Sequence, residues 1–319
     1  MLEAEQVKIA VVGSLNMDYS VMLEKRPAAG ETVLANDMMI TPGGKGANQA
    51  YAAGRTGGSV QMIGRVGEDV NAEIIKETLK GQCISIEGIR TDKENPTGMA
   101  IITLDDQAQN SIIVCPGANR SVTGSETVEA LERLPNLKII MLQLEIPISC
   151  VEQTIDYAKK YNIISFLDPA PVPQGGLSDA IYKMLDYISP NAIEAEMLSG
   201  IQVSGMDSAR KAAGFFLEKG VKNVIIKLGG EGVYATDGLS EVMIPAIEIP
   251  VVDTTAAGDT FAGAFCTRLE KGDRFFDAVR YANYASGLSV SGKGAQKSMP
   301  SAEEIDQFIQ LRVKGKEKA

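Results

Sequence analysis

The sequence predicts a doubly wound α/β fold, a mostly parallel sheet with helices on both faces, and three observations predict it. Short apolar runs recur without polar alternation: "VKIAVVG", "SVQMIGRVG", "LKIIMLQLE", "IISFLDPA", "YISPN" and "NVIIKLGG". Runs of this kind suit strands buried on both faces. Amphipathic stretches such as "VEQTIDYAKKYN" and "DSARKAAGFFLEKG" lie between them and complete βαβ units. At 319 residues the chain can bury one large core, so a single domain over 1–319 is expected.

A second texture interrupts the pattern at about 15–41 and 97–115. "ETVLANDMMI", "TGMAIITLD" and "NSIIVCPG" read as strands joined by turns with no helix between them. They predict a small β-sheet lid at the domain edge. Its apolar positions exceed what one uncovered face should show to water, so the main domain or a second copy of the lid must cover them. The basic tail "LRVKGKEKA" carries no implied function.

Composition narrows the chemistry. Net charge is −10, from 31 Lys plus Arg against 41 Asp plus Glu, which argues against a nucleic-acid-binding face. There is no histidine, so Ser-His nucleophiles and His-ligated metals are excluded, and any general base is Asp, Glu, Lys, Tyr or Cys. Cys83, Cys115, Cys150 and Cys266 form no CxxC pair, which points to reduced thiols and a cytoplasmic home. The acidic N-terminus is unlike a signal peptide, and no apolar run is long enough to span a bilayer.

In doubly wound sheets ligands bind beyond the carboxyl ends of the strands, so the residues after each apolar run matter most. "GSLNMDYS" follows the first run but lacks G-x-G-x-x-G, which removes the dinucleotide-binding reading. Asn16 and Asp18, two apart, point to one side of an extended chain, as ligand-facing groups or as a turn-forming pair. In "TPGGKGANQA" the glycines at 43, 44 and 46 allow close backbone approach, while Lys45 and Asn48 offer donors at a helix start. Glu145 in "LQLEIP" ends a predicted strand and reads either as ligand-facing or as a loop carboxylate.

"SPNAIEAE" sets Asn191 and Glu194 three apart, a capping box, and also hard oxygen ligands suited to Mg²⁺ through water. Gly229, Gly230 and Gly232 in "IIKLGGEGVY" form a turn that passes under a nucleotide or begins a hairpin. "GLSVSGKG" matches a P-loop except that Gly294 stands where Ser or Thr must hold Mg²⁺, and that reading fails.

"DTTAAGDTF" brings the parts together. Ala256, Ala257 and Gly258 would offer backbone N–H groups at a helix N-terminus, an anion hole that small side chains leave open. Asp259 in the same turn is poorly explained as a cap and well explained as a base that takes a hydroxyl proton beside a γ-phosphoryl group.

With these motifs assembled, the chain resembles the ribokinase-like (PfkB-type) sugar kinases over essentially its whole length. "GSLNMD", "PGGKGANQA", "LQLEIP", "LDPAP", "SPNAIEAE", "DTTAAGDTFAGA" and "GKGAQKSMP" occur in the family's order. The resemblance implies an ATP-dependent kinase that phosphorylates D-ribose at O5 to D-ribose 5-phosphate, releasing ADP. It implies a sugar-binding set of Asn16, Asp18, Gly44, Lys45, Asn48 and Glu145, with Asp259 as catalytic base. It implies ATP contacts at Asn191, Lys227, Gly229, Gly230, Gly232, Gly258 and Asn283, with Mg²⁺ organised by Glu194. Asp253, Thr255, Ser289, Gly292, Gly294 and Ser298 match a monovalent cation site for K⁺, and the lid implies a homodimer.

Lys227 replaces the family's frequent Thr, Asn283 replaces a His found in some members, and Gly292 replaces a larger residue. Deoxyribose, another pentose, fructose or a nucleoside are alternative substrates, and a non-catalytic sugar sensor is the alternative class. No Trp exists to stack a nucleobase, which favours a compact polyol.

Overall fold

The structure, a computed structural model, describes residues 2–104 and 110–316. Residues 105–109 of the expected lid segment and 317–319 of the basic tail lie outside the described residues. In chain order the strands are β1 (Ile9–Val12), β2 (Asn16–Met22), β3 (Asp37–Gly43), β4 (Val60–Gly67), β5 (Ser85–Asp92), β6 (Gly98–Leu104) and β7 (Asn110–Cys115). There follow β8 (Ile139–Leu142), β9 (Ile164–Leu167), β10 (Tyr187–Ile188), β11 (Asn223–Lys227), β12 (Val233–Thr236) and β13 (Glu241–Ile244). The helices are α1 (Lys45–Arg55), α2 (Val70–Lys80), α3 (Gly124–Glu132), α4 (Ile148–Lys160) and α5 (Asp179–Met184), then α6 (Ala192–Ser199), α7 (Met206–Glu218), α8 (Ala257–Glu270), α9 (Phe275–Ser289) and α10 (Ala302–Lys316).

Nine strands form the main sheet in the order β13-β12-β11-β10-β9-β8-β1-β4-β5. Every pairing from β11 to β5 is parallel, and only the β11-β12 and β12-β13 pairings are antiparallel. The side-chain period of two sends alternate residues of each buried strand into separate cores. Ile9, Val11 and Met141 meet Ala50 of α1, Phe265 of α8 and Ala282 of α9 on one face. Ala10, Val12 and Leu142 meet Ile155 of α4 and Phe216 of α7 on the other. This is the doubly wound fold read from the apolar runs. No helix among the described residues is long and apolar enough to cross a membrane.

Beyond β1 the chain builds outward through β4 and β5, then returns to build β8 to β11 on the other side. The order therefore reverses between β1 and β8, where doubly wound sheets open a crevice. Glycine closes its wall. A Cβ on Gly46 would stand 2.6 Å from Ser14 N, so only glycine lets the start of α1 rest against the loop after β1. The Ala47 N–H then donates to the Ser14 carbonyl at 2.9 Å.

A separate four-stranded sheet has the order β3-β2-β6-β7. Asp18, Ser20 and Met22 of β2 share one face with Met39 and Thr41 of β3. From the opposite face Tyr19 reaches Asn71 of α2, whose Nδ2 lies 3.2 Å from its hydroxyl. The predicted strand "ETVLANDMMI" is shorter than expected. Pairing with β2 starts only at Asp37, opposite Met22 where β2 ends, and Leu34 is 90 % exposed. Its apolar letters lack a partner strand to pack beside.

Candidate active site

Loops from the carboxyl edge tie the crevice together. Ser14, just after β1, donates from Oγ to Glu145 Oε2 at 2.5 Å, and the same oxygen accepts the Lys45 N–H at 3.2 Å. The loop after β8, the loop after β1 and the first residue of α1 thus meet on one carboxylate. Asp18 reaches toward them from β2. Burial, then the charges of Glu145 and Asp259, push its carboxyl up to about 7. Glycine at position 43 makes room, since a Cβ there would run into the Asp18 carboxylate.

Asp259 occupies the first turn of α8 and is 6 % exposed. Its Oδ2 accepts from Asn48 Nδ2 at 3.2 Å and its Oδ1 from Gln49 Nε2 at 3.1 Å, both from α1. Burial pushes its carboxyl up to about 6, against the pull of Lys45 and with a further push from Asp168. For Lys45 burial opposes the charge, but Asp259, Asp168, Glu145 and Glu194 outweigh it and hold the ammonium's pKa above its ordinary value. A buried cation and a buried carboxyl that holds its proton unusually tightly are thus neighbours.

Helix α8 begins with Ala256 in the left-handed region at φ 59, an unusual conformation for alanine. The first N–H groups of a helix have no intrahelical partner; that of Ala257 closes a turn on the Thr254 carbonyl at 3.3 Å. A cavity of about 300 Å³ opens beside this terminus, lined by Lys45, Asp168, Glu194, Lys227, Gly258 and Asp259 among others. A second, of about 540 Å³, lies under the small sheet and includes Asp18, Ser20, Thr41, Asp253 and Thr255. Thr254 lines both. Two compartments therefore adjoin at the start of α8.

The pfkB family carbohydrate kinase model matches residues 6–302. This chain belongs to that family. It is 37 % identical to a ribokinase of Staphylococcus aureus, covering 94 % of this chain and 99 % of the relative. It is 33 % identical to a deoxyribokinase of Salmonella typhi, covering 95 % and 99 %. Among solved structures, ribokinase from Thermotoga maritima superposes with a TM-score of 0.85 at 36 % identity, covering 95 % of this chain and 99 % of that one. Arabidopsis thaliana ribokinase complexed with ribose and ATP superposes with a TM-score of 0.86 at 33 % identity, covering 94 % and 98 %.

Within this pfkB-family chain the fold gathers most residues singled out in the sequence. Asp18, Lys45, Glu145 and Asp259 cluster as described, with Gly44 as the residue preceding α1 at φ +86. Asn48 joins this cluster through its amide nitrogen on Asp259, while its oxygen accepts from Gln296 at 3.1 Å. Asn16 lines neither cavity. It is tucked beneath Asn119, whose Nδ2 donates to its Oδ1 at 2.7 Å.

Asn191, Glu194, Lys227, Gly229, Gly232, Gly258 and Asn283 line the smaller cavity, whereas Gly230 is exposed on the turn and does not. The capping box is present: Asn191 Oδ1 accepts the Glu194 N–H at 2.8 Å, and Glu194 Oε2 accepts the Asn191 N–H at 2.8 Å. The Glu194 carboxyl is pushed up by burial, with Lys227 opposing. The glycine turn joins β11 to antiparallel β12, so it is a hairpin and a cavity wall at once.

The residues of the expected cation set lie on two segments that meet at Asp253, whose N–H donates to the Val290 carbonyl at 3.1 Å. Asp253 accepts from Thr255 N–H at 2.9 Å, Thr255 Oγ1 at 2.6 Å and Gly294 N–H at 2.9 Å. Burial pushes its carboxyl up, but these bonds outweigh it and hold it below its usual value. Ser289 Oγ donates to the Ser286 carbonyl at 2.8 Å and Ser298 Oγ to the Ala295 carbonyl at 3.0 Å, with Gly292 packed against Ser298.

Two residues escaped the sequence reading. Asp168 follows β9 and carries an ion pair to Lys227 at 2.6 Å. Its signal was available, since "LDPAP" sets a carboxylate just past a strand, as "LQLEIP" does. Gln49 carried no such signal.

Proposed function

We propose that the protein is an ATP-dependent kinase that transfers the γ-phosphoryl group to O5 of D-ribose, giving D-ribose 5-phosphate and ADP. One observation carries this reading: Asp259 lies buried beside Lys45 at the start of α8, with its carboxyl pushed up to about 6. A base titrating there is ionised at neutral pH yet basic enough to take a proton in the transition state. The sugar O5 forms a bond to γ-phosphorus, the bond from phosphorus to the bridging oxygen of ADP breaks, and the hydroxyl proton passes to Asp259. Lys45 and the amides at the start of α8 balance the charge on the transferring group.

The residues fit a nucleotide triphosphate. Gly229 and Gly258 leave backbone open to the smaller cavity, and Lys227 adds a cation. Asn191 and Asn283 would contact the nucleotide, and Glu194, its charge raised in energy by burial, would hold Mg²⁺ through water. The ion would neutralise phosphate charge. The larger cavity, with Asp18 and the nearby Glu145, would bind the sugar hydroxyls. The ribokinase complexed with ribose and ATP supports both substrates.

Deoxyribose is the competing acceptor, favoured by the 33 % identity to a deoxyribokinase. ADP release measured over ribose, deoxyribose, fructose and a nucleoside decides between them. Ribose is expected to give the highest kcat/KM, and a tenfold or greater preference for deoxyribose, roughly 1.4 kcal/mol, would overturn the choice. Binding of ribose without ATP turnover would mark a sensor.

Activation by K⁺ at the Asp253 and Thr255 loop is part of this reading. It is checked by replacing potassium with sodium, where unchanged turnover would remove it. A homodimer through the small sheet is also part of it, supported by exposed Met38, Ile40, Ile112 and Ile113 on its outer strands. Sedimentation of Ile113→Lys is expected to give monomer where the parent gives dimer. Four unpaired cysteines, two of them exposed, suit the reducing cytoplasm.

A further inference from the structure

Buried at the back of the crevice is a glutamine whose surroundings leave its orientation no choice. Gln49 is 0 % exposed, and its Nε2 lies 3.1 Å from Asp259 Oδ1 and 3.0 Å from Asp168 Oδ2. Ionised carboxylates only accept, so the amide nitrogen must face them and the amide oxygen must face away. There the oxygen accepts from Gln143 Nε2 at 2.6 Å. The other oxygen of Asp168 holds Lys227 Nζ at 2.6 Å, with side chains 4 % and 15 % exposed. Lys227 Nζ in turn stands 3.4 Å from where a Cβ on Gly258 would lie, over the start of α8.

We propose that Gln49 and Asp168 are positioning residues for phosphoryl transfer: the Gln49 amide ties the Asp259 carboxylate to Asp168, and Asp168 holds the Lys227 ammonium at the α8 terminus. The proposal rests on the reading of Asp259 as base. One hydrogen-bonded chain, Asp259–Gln49–Asp168–Lys227, sets the separation between the group that takes the proton and a cation placed where negative charge gathers on the transferring group. Lysine has a long flexible stem, and a loosely held ammonium would lose the preorganisation on which charge stabilisation depends. A purely structural buried ion pair would need no bridge to the base. Here the bridge uses both hydrogens of one amide, and both recipients face the same cavity.

The groups facing Asp259 give the test its signature. Lys45 faces it from α1, Asp18 from β2 and Asp168 from the loop after β9, with Lys227 beyond Asp168. The Gln49 hydrogen bond favours the ionised base, whereas the Asp168 charge disfavours it. Removing each should therefore move the acidic limb of the rate profile in opposite directions.

The experiment compares Gln49→Met, Asp168→Asn and Asp259→Asn with the parent by kcat, both KM values, pH–rate profile and thermal unfolding. Gln49→Met is expected to lose about 10- to 10²-fold in kcat with KM values changed by less than about threefold, its acidic limb moving up. Asp168→Asn, nearly the same shape, is expected to lose kcat similarly, its limb moving down. It decides the matter should Gln49→Met fail to fold. Turnover within about twofold of the parent and an unmoved limb in folded Asp168→Asn, with Asp259→Asn inactive, would overturn this proposal and leave the base assignment standing. Parent-like turnover by Asp259→Asn would instead remove the base assignment itself.

Discussion

The Asn48 side chain donates to Asp259 Oδ2 at 3.2 Å, joining the glycine-rich start of α1 to the first turn of α8 across 211 residues. A carboxylate in the first turn of a helix is ordinarily stabilised by the unpaired N–H groups around it. Here burial overrides that help, and Asp259 titrates near 6. The group thus holds its proton more tightly than a free carboxyl while lining a cavity.

Activity should follow that titration. In the parent, kcat/KM for the sugar is expected to begin falling below about pH 7 as Asp18 gains its proton, and to fall more steeply through about 6 as Asp259 does. Asp259→Asn should fold and lose about 10²- to 10⁴-fold in turnover. Steady-state rates between pH 5 and 8 check both statements.

Stability should move the opposite way. The folded carboxyl is pushed up to about 6 against an ordinary value of 3.8, so the native state binds the proton more tightly than the unfolded chain. Its contribution is fully present below 3.8 and is lost as pH rises through 6. Asp259→Asn removes that loss, so its stability relative to the parent should be about 1–3 kcal/mol higher at pH 7 than at pH 4, on top of a pH-independent cost because its new amide NH₂ meets the Asn48 or Gln49 donor. Denaturant unfolding at the two pH values measures it.

Asp18 is expected to make sugar binding pH-sensitive. Its carboxyl, pushed up to about 7, is partly protonated at neutral pH and must ionise to accept hydrogen bonds from hydroxyls with both oxygens. The sugar KM is expected to rise as pH falls below about 7, and Asp18→Asn should weaken binding while flattening that dependence. Calorimetry of sugar binding in buffers of different ionisation enthalpy reports the proton released.

Gly46 should tolerate no side chain. An added Cβ meets backbone, Gly13 C and Ser14 N, at 2.6 Å, and neither can swing aside as a side-chain tip would. Gly46→Ala is expected to cost about 1–3 kcal/mol. It should also raise the sugar KM by shifting Lys45 away from Glu145. Thermal unfolding and steady-state kinetics on one preparation test the two effects together.

Much of the fold was legible because apolar runs and their spacing are local properties. "VKIAVVG" and "NVIIKLGG" are strands β1 and β11, and the residues after them line or brace the crevice. Asp18, Glu145 and Asp259 were legible through their places after strands or at a helix start. Gln49 was not, because its partners Gln143, Asp168 and Asp259 lie 94, 119 and 210 residues away. In the sequence it is one more polar residue inside a helix. "ETVLA" was misread for the opposite reason: its letters favour a strand, but a strand also needs a neighbour to pair with.

The amino-acid order by itself determined a doubly wound sheet, a helix start lined with small residues, and a single acidic side chain set within it, since each depends on side-chain type at short spacing. Only the tertiary structure decided that Asp259 and Asp18 hold their protons more tightly than free carboxyls, and that Asp168 pairs with Lys227. Desolvation and charge proximity are properties of the space around a group, and that space is assembled from segments the chain keeps far apart.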